Sequence, residues 1–99
     1  MTANNTLPRQ AVVDALEGSD LTEDAVYDGY SGRAMYGATC FGIVHDSPGQ
    51  LLAFFATLGA ISEHAYGLDM HDIGRLAQGA RQDDLGLSTI TYFPGFELS

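Results

Sequence analysis

The chain has 99 residues and a formal net charge of −9, because thirteen aspartates and glutamates face four arginines and no lysine. A chain of this length cannot divide its core between two folding units, so residues 1–99 are expected to form one domain. The negative charge argues against nucleic acid or an anionic membrane as a direct ligand, since both are bound through cations. No apolar run reaches the ~18 to 20 residues of a membrane helix.

Cysteine usage and the start of the chain predict the cellular location. Cys40 is the single cysteine, so no internal disulfide can form, and a lone thiol fits a reducing compartment. The opening residues, MTANNTLPRQ, have neither a basic nor an apolar segment of the kind that starts a secretory signal. We therefore expect a cytoplasmic protein.

Residues 8–17 are the first predicted element, a short helix. Pro8 suits the first helical turn, apolar residues follow at helical spacing, and Gly18 is expected to end the helix. The next stretch, SDLTEDAVYDGY, has mixed signals: Thr22 could cap a helical turn, whereas AVYDGY could begin an extended segment.

A strand is predicted over residues 35–44, after a glycine-rich turn at DGYSG. Side chains alternate along a strand, so two sets of three residues should share opposite faces, and both faces look buried. Those sets are Thr39, Phe41, Ile43 and Cys40, Gly42, Val44. Gly37 and Gly42 inside the strand indicate a bulge or the close approach of another backbone.

The clearest predicted element is a helix over residues 48–66. Ser47, Pro48 and Gln50 form a capping-box pattern at its start, and Gly67 stands where a left-handed C-cap would fall. One wide apolar stripe should face the core. Its members are Leu51, Phe54, Phe55, Leu58, Ile61 and Ala65.

A further helix is predicted after Asp69 and a second strand over residues 88–93, ended by Pro94, with 96–99 as a tail. The inward residues of this helix should be Met70, Ile73, Leu76, Ala77 and Ala80. The order of elements predicts an α+β fold, in which a small β-sheet packs against one long and one or two shorter helices.

Catalytic and metal-binding chemistry find little support in the spacing of reactive residues. Cys40 lies between apolar neighbours in the strand and is expected to be a small buried hydrophobe, with His45 out of reach at the far end of the strand. Three pairs of adjacent donors suit zinc by type but not by spacing. These pairs are His45 with Asp46, Glu63 with His64 and His71 with Asp72. We expect no catalytic residue, no metal site and no cofactor.

The sequence YSGRAMYG leaves an anion-binding site open as an alternative. Backbone N–H groups around Ser31 and Gly32, together with the planar guanidinium of Arg33, could hold a carboxylate or phosphate. A nucleotide-binding glycine pattern is absent, and in so acidic a chain the favoured interpretation is that Arg33 pairs with a neighbouring aspartate, such as Asp28 or a residue of RQDD.

Carboxylates are the main candidate for a binding surface. Acidic residues crowd the N-terminal third, and a second pair follows in RQDD. The candidates are Asp14, Glu17, Asp20, Glu23, Asp24, Asp28, Asp83 and Asp84. Such residues form a solvated face, or they present negative charge to a basic protein partner and imitate a phosphate backbone. Solubility, a high-salt cytoplasm or genome composition would also account for the acidity.

Homo-oligomerisation through exposed aromatic residues is a further possibility that the sequence leaves open. The aromatic residues considered for this contact are Tyr27, Tyr30, Tyr36 and Phe96.

Two stretches, YSGRAMYGATC and RQDDLGLSTITYFP, resemble small proteins encoded by actinobacterial phages and their hosts. Those proteins are similar in carrying a Y-S-G-R-x-M-Y-G-x-x-C stretch and a late D-x-L-G-x-x-x-x-Y-[FW]-P stretch. The resemblance implies a phage or prophage setting, in which small acidic proteins often bind host machinery. We therefore expect a non-enzymatic accessory protein that binds a basic partner, such as a nucleic-acid-binding protein, in the manner of anti-restriction or anti-CRISPR inhibitors.

Overall fold

A computed structural model describes residues 5–28, 40–67 and 70–98. The strands within these residues are β1 (Asn5–Leu7), β2 (Val26–Asp28), β3 (Cys40–His45), β4 (Arg81–Asp84), β5 (Thr89–Pro94) and β6 (Phe96–Leu98). The α-helices are α1 (Arg9–Glu17), α2 (Pro48–Ile61) and α3 (Met70–Gly79), with a 3-10 turn at Glu23–Ala25 and a π-helical turn at Ser62–Tyr66. Four strands form an antiparallel sheet in the order β2-β3-β5-β4, and β1 pairs with β6 in parallel. The predicted α+β fold is confirmed.

The helices cover one face of the sheet. Phe41 of β3 stands opposite Phe93 of β5, and their ring centroids lie 4.9 Å apart. Phe54 of α2 and Phe55 pack on the same ring, with centroids 6.3 and 5.9 Å from that of Phe93. Leu16 of α1 belongs to the same buried cluster. The main core therefore lies between the sheet and the helices.

The other face of the sheet holds a second buried cluster. Cys40, Ile90 and Tyr92 are its buried members, and Val44 packs against them. The predicted alternation of β3 side chains is therefore confirmed for the described part of the strand. Gly42 lies in regular register without a bulge, and a Cβ at this position would come 3.0 Å from the Tyr92 ring. The close neighbour is thus a side chain, not the backbone that was predicted.

Local sequence signals set both ends of α2 as predicted. The hydroxyl of Ser47 accepts from the Gln50 N–H, and the Gln50 side chain accepts from the Ser47 N–H, which completes the capping box. The helix continues through the π-helical turn, and Gly67 then adopts φ 68° as the left-handed cap. The extra residue of a π turn shifts the helical phase, and Ala65, predicted on the apolar stripe, is exposed.

The end of α1 is more elaborate than a glycine stop. Leu21 donates its N–H to the Leu16 carbonyl at 3.0 Å, Asp20 donates to Glu17 at 3.4 Å, and Asp20 adopts φ 60°. This is a Schellman motif, in which an aspartate occupies the left-handed position that glycine usually takes. Gly18 directly follows the last helical residue, as predicted, and it also permits close helix packing, because a Cβ there would lie 2.6 Å from the Oγ1 of Thr57 in α2.

Several predictions at the C-terminal end are wrong. Residues 96–98 form β6 against β1 instead of a tail, and Phe96 is buried, so it cannot form the exposed aromatic contact considered above. Met70 and Ala77 of α3 are exposed, whereas Ile73 and Leu76 face the core as predicted. Among the described residues, no helix combines the length and apolar character needed to cross a membrane.

Candidate functional site

The antiparallel sheet brings acidic residues from three separate parts of the chain to one of its ends. The 3-10 turn precedes β2, Asp46 follows β3 and Asp84 ends β4, and the strand register places all three positions at the same end. Each of these positions carries exposed carboxylates, which we call the acidic rim: Glu23, Asp24, Asp46 and Asp84. The rim crosses three strand spacings, about 14 Å.

The remaining acidic candidates occupy different places. Glu17 and Asp20 are exposed at the end of α1, a few residues before the rim. Asp83 is half-buried and lies one position before the rim in β4. Asp14 contacts the π-helical turn that follows α2, and Asp28 lies in β2, with its backbone paired to Phe41. The structure thus brings Glu23, Asp24 and Asp84 together and leaves Asp14 apart.

A buried hydrogen-bonded network holds the turn that carries Asp46. His45 is 3% exposed, and its Nδ1 lies 3.1 Å from the Ser47 carbonyl while its Nε2 lies 2.7 Å from the Thr91 hydroxyl. A carbonyl only accepts, so Nδ1–H donates to Ser47, and in that tautomer Nε2 accepts from the Thr91 hydroxyl. The Thr91 oxygen in turn accepts from the Gln82 amide at 3.1 Å. Each of these side chains therefore has a hydrogen-bond partner.

Further contacts fix Asp46 itself. Its N–H donates to the side-chain oxygen of Gln50 at 2.7 Å, and its carboxylate accepts from the Ser88 hydroxyl at 2.9 Å. The Asp84 carboxylate accepts from the Gly86 N–H at 2.8 Å. Two rim carboxylates are therefore already ordered in the free protein, so these two side chains would lose little conformational entropy when a partner binds.

Positive charge lies elsewhere in the described residues. Arg9 begins α1, Arg75 pairs with Asp72 at 3.8 Å in α3, and Arg81 begins β4 at the end of that strand away from the rim. None of the rim carboxylates forms an ion pair with a described residue. Their charge is therefore available to a partner.

Asp14 takes part in a contact between helices. Tyr66 donates its hydroxyl to one carboxylate oxygen at 2.7 Å, and Gln10 donates to the other at 2.8 Å. The bond from Tyr66 and then that from Gln10 lower the pKa of Asp14, while the same carboxylate raises the pKa of Tyr66. This carboxylate joins α1 to the π-helical turn and is a structural member of the acidic set.

Cys40 and His45 both occupy buried positions in β3. Cys40 is 2% exposed, and burial raises the pKa of its thiol, which opposes thiolate formation. His45 lies on the opposite face of β3, bonded as described above. Within the described ranges, no three histidine, cysteine, aspartate or glutamate side chains gather as metal ligands would.

The alternative anion site at Ser31, Gly32 and Arg33 lies outside the described residues, as do Tyr30 and Tyr36. Asp46 was recognised in the sequence only as a neighbour of His45, and its place in the rim became evident from the strand register. Comparison with protein-family models, with curated proteins and with solved structures finds no match for this chain.

Proposed function

We propose that the protein is a non-enzymatic accessory protein that binds the basic surface of another macromolecule through the acidic rim. The observation that carries this proposal is the convergence of four exposed carboxylates, without a described cation among them, at one end of the sheet. A basic protein groove is the complementary surface, because charge complementarity steers association and sets its specificity.

The energetic cost of the neighbouring charges supports a role beyond solubility. Glu17 and Asp20 lie at the end of α1, where the helix dipole is negative and no basic residue occupies the last turn. Acidic groups at that position cost roughly 0.3–1 kcal/mol each, by the same dipole effect that favours cations there. Carboxylates placed only for solubility could lie anywhere on the surface without this cost.

The sharper form of the proposal is that the rim occupies a groove that otherwise binds nucleic acid. Such a groove binds phosphates through arginine and lysine, and a row of carboxylates about 14 Å long, two of them held by hydrogen bonds, presents similar charge. In the phage setting that the sequence resemblance implies, the protein would act as an inhibitor of a host nucleic-acid-binding protein.

The test begins with recovery of the partner from the native host and measurement of its affinity for the full chain. The rim variant is Glu23→Gln with Asp24→Asn, and the matched control is Glu97→Gln with Asp72→Asn. Each variant replaces one glutamate and one aspartate by neutral amides, so both reduce the net charge of −9 by the same amount. The control positions lie in β6 and α3, away from the rim.

We expect the rim variant to bind at least tenfold more weakly and with a shallower salt dependence, while the control stays within about threefold of the unaltered chain. Equal losses in both variants would show that only total charge matters. Unchanged affinity in the rim variant would refute the proposed site.

A further inference from the structure

The outer edge of β4 offers backbone groups for pairing with another strand. β4 is the terminal strand in the order β2-β3-β5-β4, and no other strand in the described ranges pairs with its outer side. An edge of this kind presents unpaired N–H and C=O groups that a further strand can bind. The register of the β4–β5 hairpin decides which groups these are.

Hydrogen bonding at the hairpin fixes the direction of each backbone group. Leu85 donates its N–H to the Ser88 carbonyl at 2.8 Å, so these residues form a hydrogen-bonded pair. Hydrogen-bonded and non-hydrogen-bonded pairs alternate along an antiparallel ladder, and Gln82 stands opposite Thr91, three pairs further on. The N–H and C=O of Gln82, and those of Asp84, therefore point away from β5 to the outer edge.

Two opposite charges flank Gln82 on the other face of the sheet. Arg81 and Asp83 alternate with Gln82, so they project from the face opposite the helices. Among the described residues, the partners of the Arg81 guanidinium are two backbone carbonyls, those of Gly79 and Ala80, each at 3.4 Å. The carboxylate of Asp83 has no hydrogen bond or ion pair with any residue in the described ranges.

We propose that two copies of the chain associate edge to edge through antiparallel β4 strands, with Gln82 of one copy opposite Gln82 of the other. The outward groups of the two Gln82 residues then exchange a pair of N–H···O bonds. In the same register, Arg81 of each copy stands opposite Asp83 of the other, at a distance where opposite charges attract.

Neighbouring registers place like charges together. A two-fold axis at Arg81 sets two guanidiniums opposite each other, and an axis at Asp83 sets two carboxylates opposite each other. Like charges directly across a sheet are destabilising. The sequence Arg81-Gln82-Asp83 is thus complementary to itself only when the axis passes through Gln82.

The hairpin tip adds an apolar contribution. Leu85 is 55% exposed and Leu87 is 98% exposed, and the proposed register brings the hairpin tip of each copy to the start of β4 in the second copy. Association therefore covers apolar surface that the single chain leaves in water. Two short strands and a hairpin tip form a small interface, so we expect weak association.

Sedimentation equilibrium of the full chain tests this dimer. The measurement spans about 10 μM to 1 mM at an ionic strength of about 0.15 M, where the net charge of each copy is largely screened beyond ~8 Å. We expect a monomer–dimer equilibrium. Arg81→Asp and Asp83→Arg should each weaken it at least tenfold, because every cross-strand pair then joins like charges.

Combining the charge reversals tests the register. An equimolar mixture of the two single variants should form a heterodimer, and the double variant Arg81→Asp/Asp83→Arg should form a homodimer again. Hydrogen exchange of the Gln82 amide should slow as the concentration of the unaltered chain rises. A chain that stays monomeric at about 1 mM overturns the dimer, and a mixture without heterodimer overturns the register.

Discussion

Asp20 allows the charge and the backbone conformation of one residue to be separated by substitution. It is the one non-glycine residue with positive φ within the described ranges, and it occupies the left-handed position of the Schellman motif after α1. Its carboxylate also lies near the negative end of the helix dipole. Asp20→Asn removes only the charge, Asp20→Gly removes the charge and the steric penalty, and Asp20→Ala removes the charge but keeps the penalty.

The expected changes in the free energy of unfolding follow from these components. Loss of the carboxylate at the helix end stabilises by roughly 0.3–1 kcal/mol in all three variants. The left-handed conformation costs an L-residue about 1–2 kcal/mol, and less for aspartate and asparagine. Glycine avoids that cost, but it destabilises the protein by about 0.5–1 kcal/mol because the unfolded chain has more conformational entropy. We therefore expect Asp20→Gly to be the most stable, Asp20→Asn to gain a few tenths of a kcal/mol, and Asp20→Ala to equal or fall below the unaltered chain.

Urea unfolding followed by circular dichroism measures this order. If Asp20→Asn is less stable than the unaltered chain, the carboxylate stabilises the turn and the dipole reasoning is wrong. If Asp20→Ala matches Asp20→Gly, the left-handed conformation is not imposed by the turn. The gain in Asp20→Asn should disappear above about 0.5 M salt, where charges interact over only a few ångströms.

Three other substitutions probe the packing and hydrogen bonding. Gly18→Ala should lower the free energy of unfolding by about 1–3 kcal/mol in urea, because the added methyl group would lie 2.6 Å from the Oγ1 of Thr57 in α2. Thr91→Val should cost about 1–3 kcal/mol in the same assay, since it leaves the buried Nε2 of His45 without a donor. Tyr66→Phe should raise the pKa of Asp14 toward its usual 3.8, as measured by NMR titration. The depressed pKa contributes stability above pH ~4 that is lost in more acidic solution, so this variant should lose less stability on acidification.

Predictions that depend on neighbouring residues agree with the structure. The capping box at Ser47 and the glycine cap at Gly67 are local signals, because each is a hydrogen bond or a dihedral angle within one helical turn. The alternation of faces in β3 is equally local. Met70 was misplaced because helical spacing alone does not say where the inward stripe of α3 begins.

Elements formed by distant pairing were not predicted. β1 and β6 have three residues each and pair across nearly the whole chain. β4 pairs locally with β5, but it was missed because its exposed polar residues carry no strand pattern. Phe96 follows Pro94 and Gly95, which predict an end of structure, yet the parallel pairing with β1 buries it. The acidic rim has the same origin, since Asp46 and Asp84 become neighbours of the 3-10 turn only through strand register.

The proposed dimer and the proposed binding surface make a joint prediction about affinity. Because the two β4 strands run antiparallel, the acidic rims lie at opposite ends of the joined sheet and face opposite directions. One basic groove therefore meets one rim, and a dimer should bind two partner molecules. Arg81→Asp weakens the dimer but leaves the rim unaltered and adds negative charge, so this variant should bind the basic partner at least as tightly as the unaltered chain, as measured by titration calorimetry. Weaker binding by Arg81→Asp that the double variant Arg81→Asp/Asp83→Arg restores would show that both copies contribute to one binding surface.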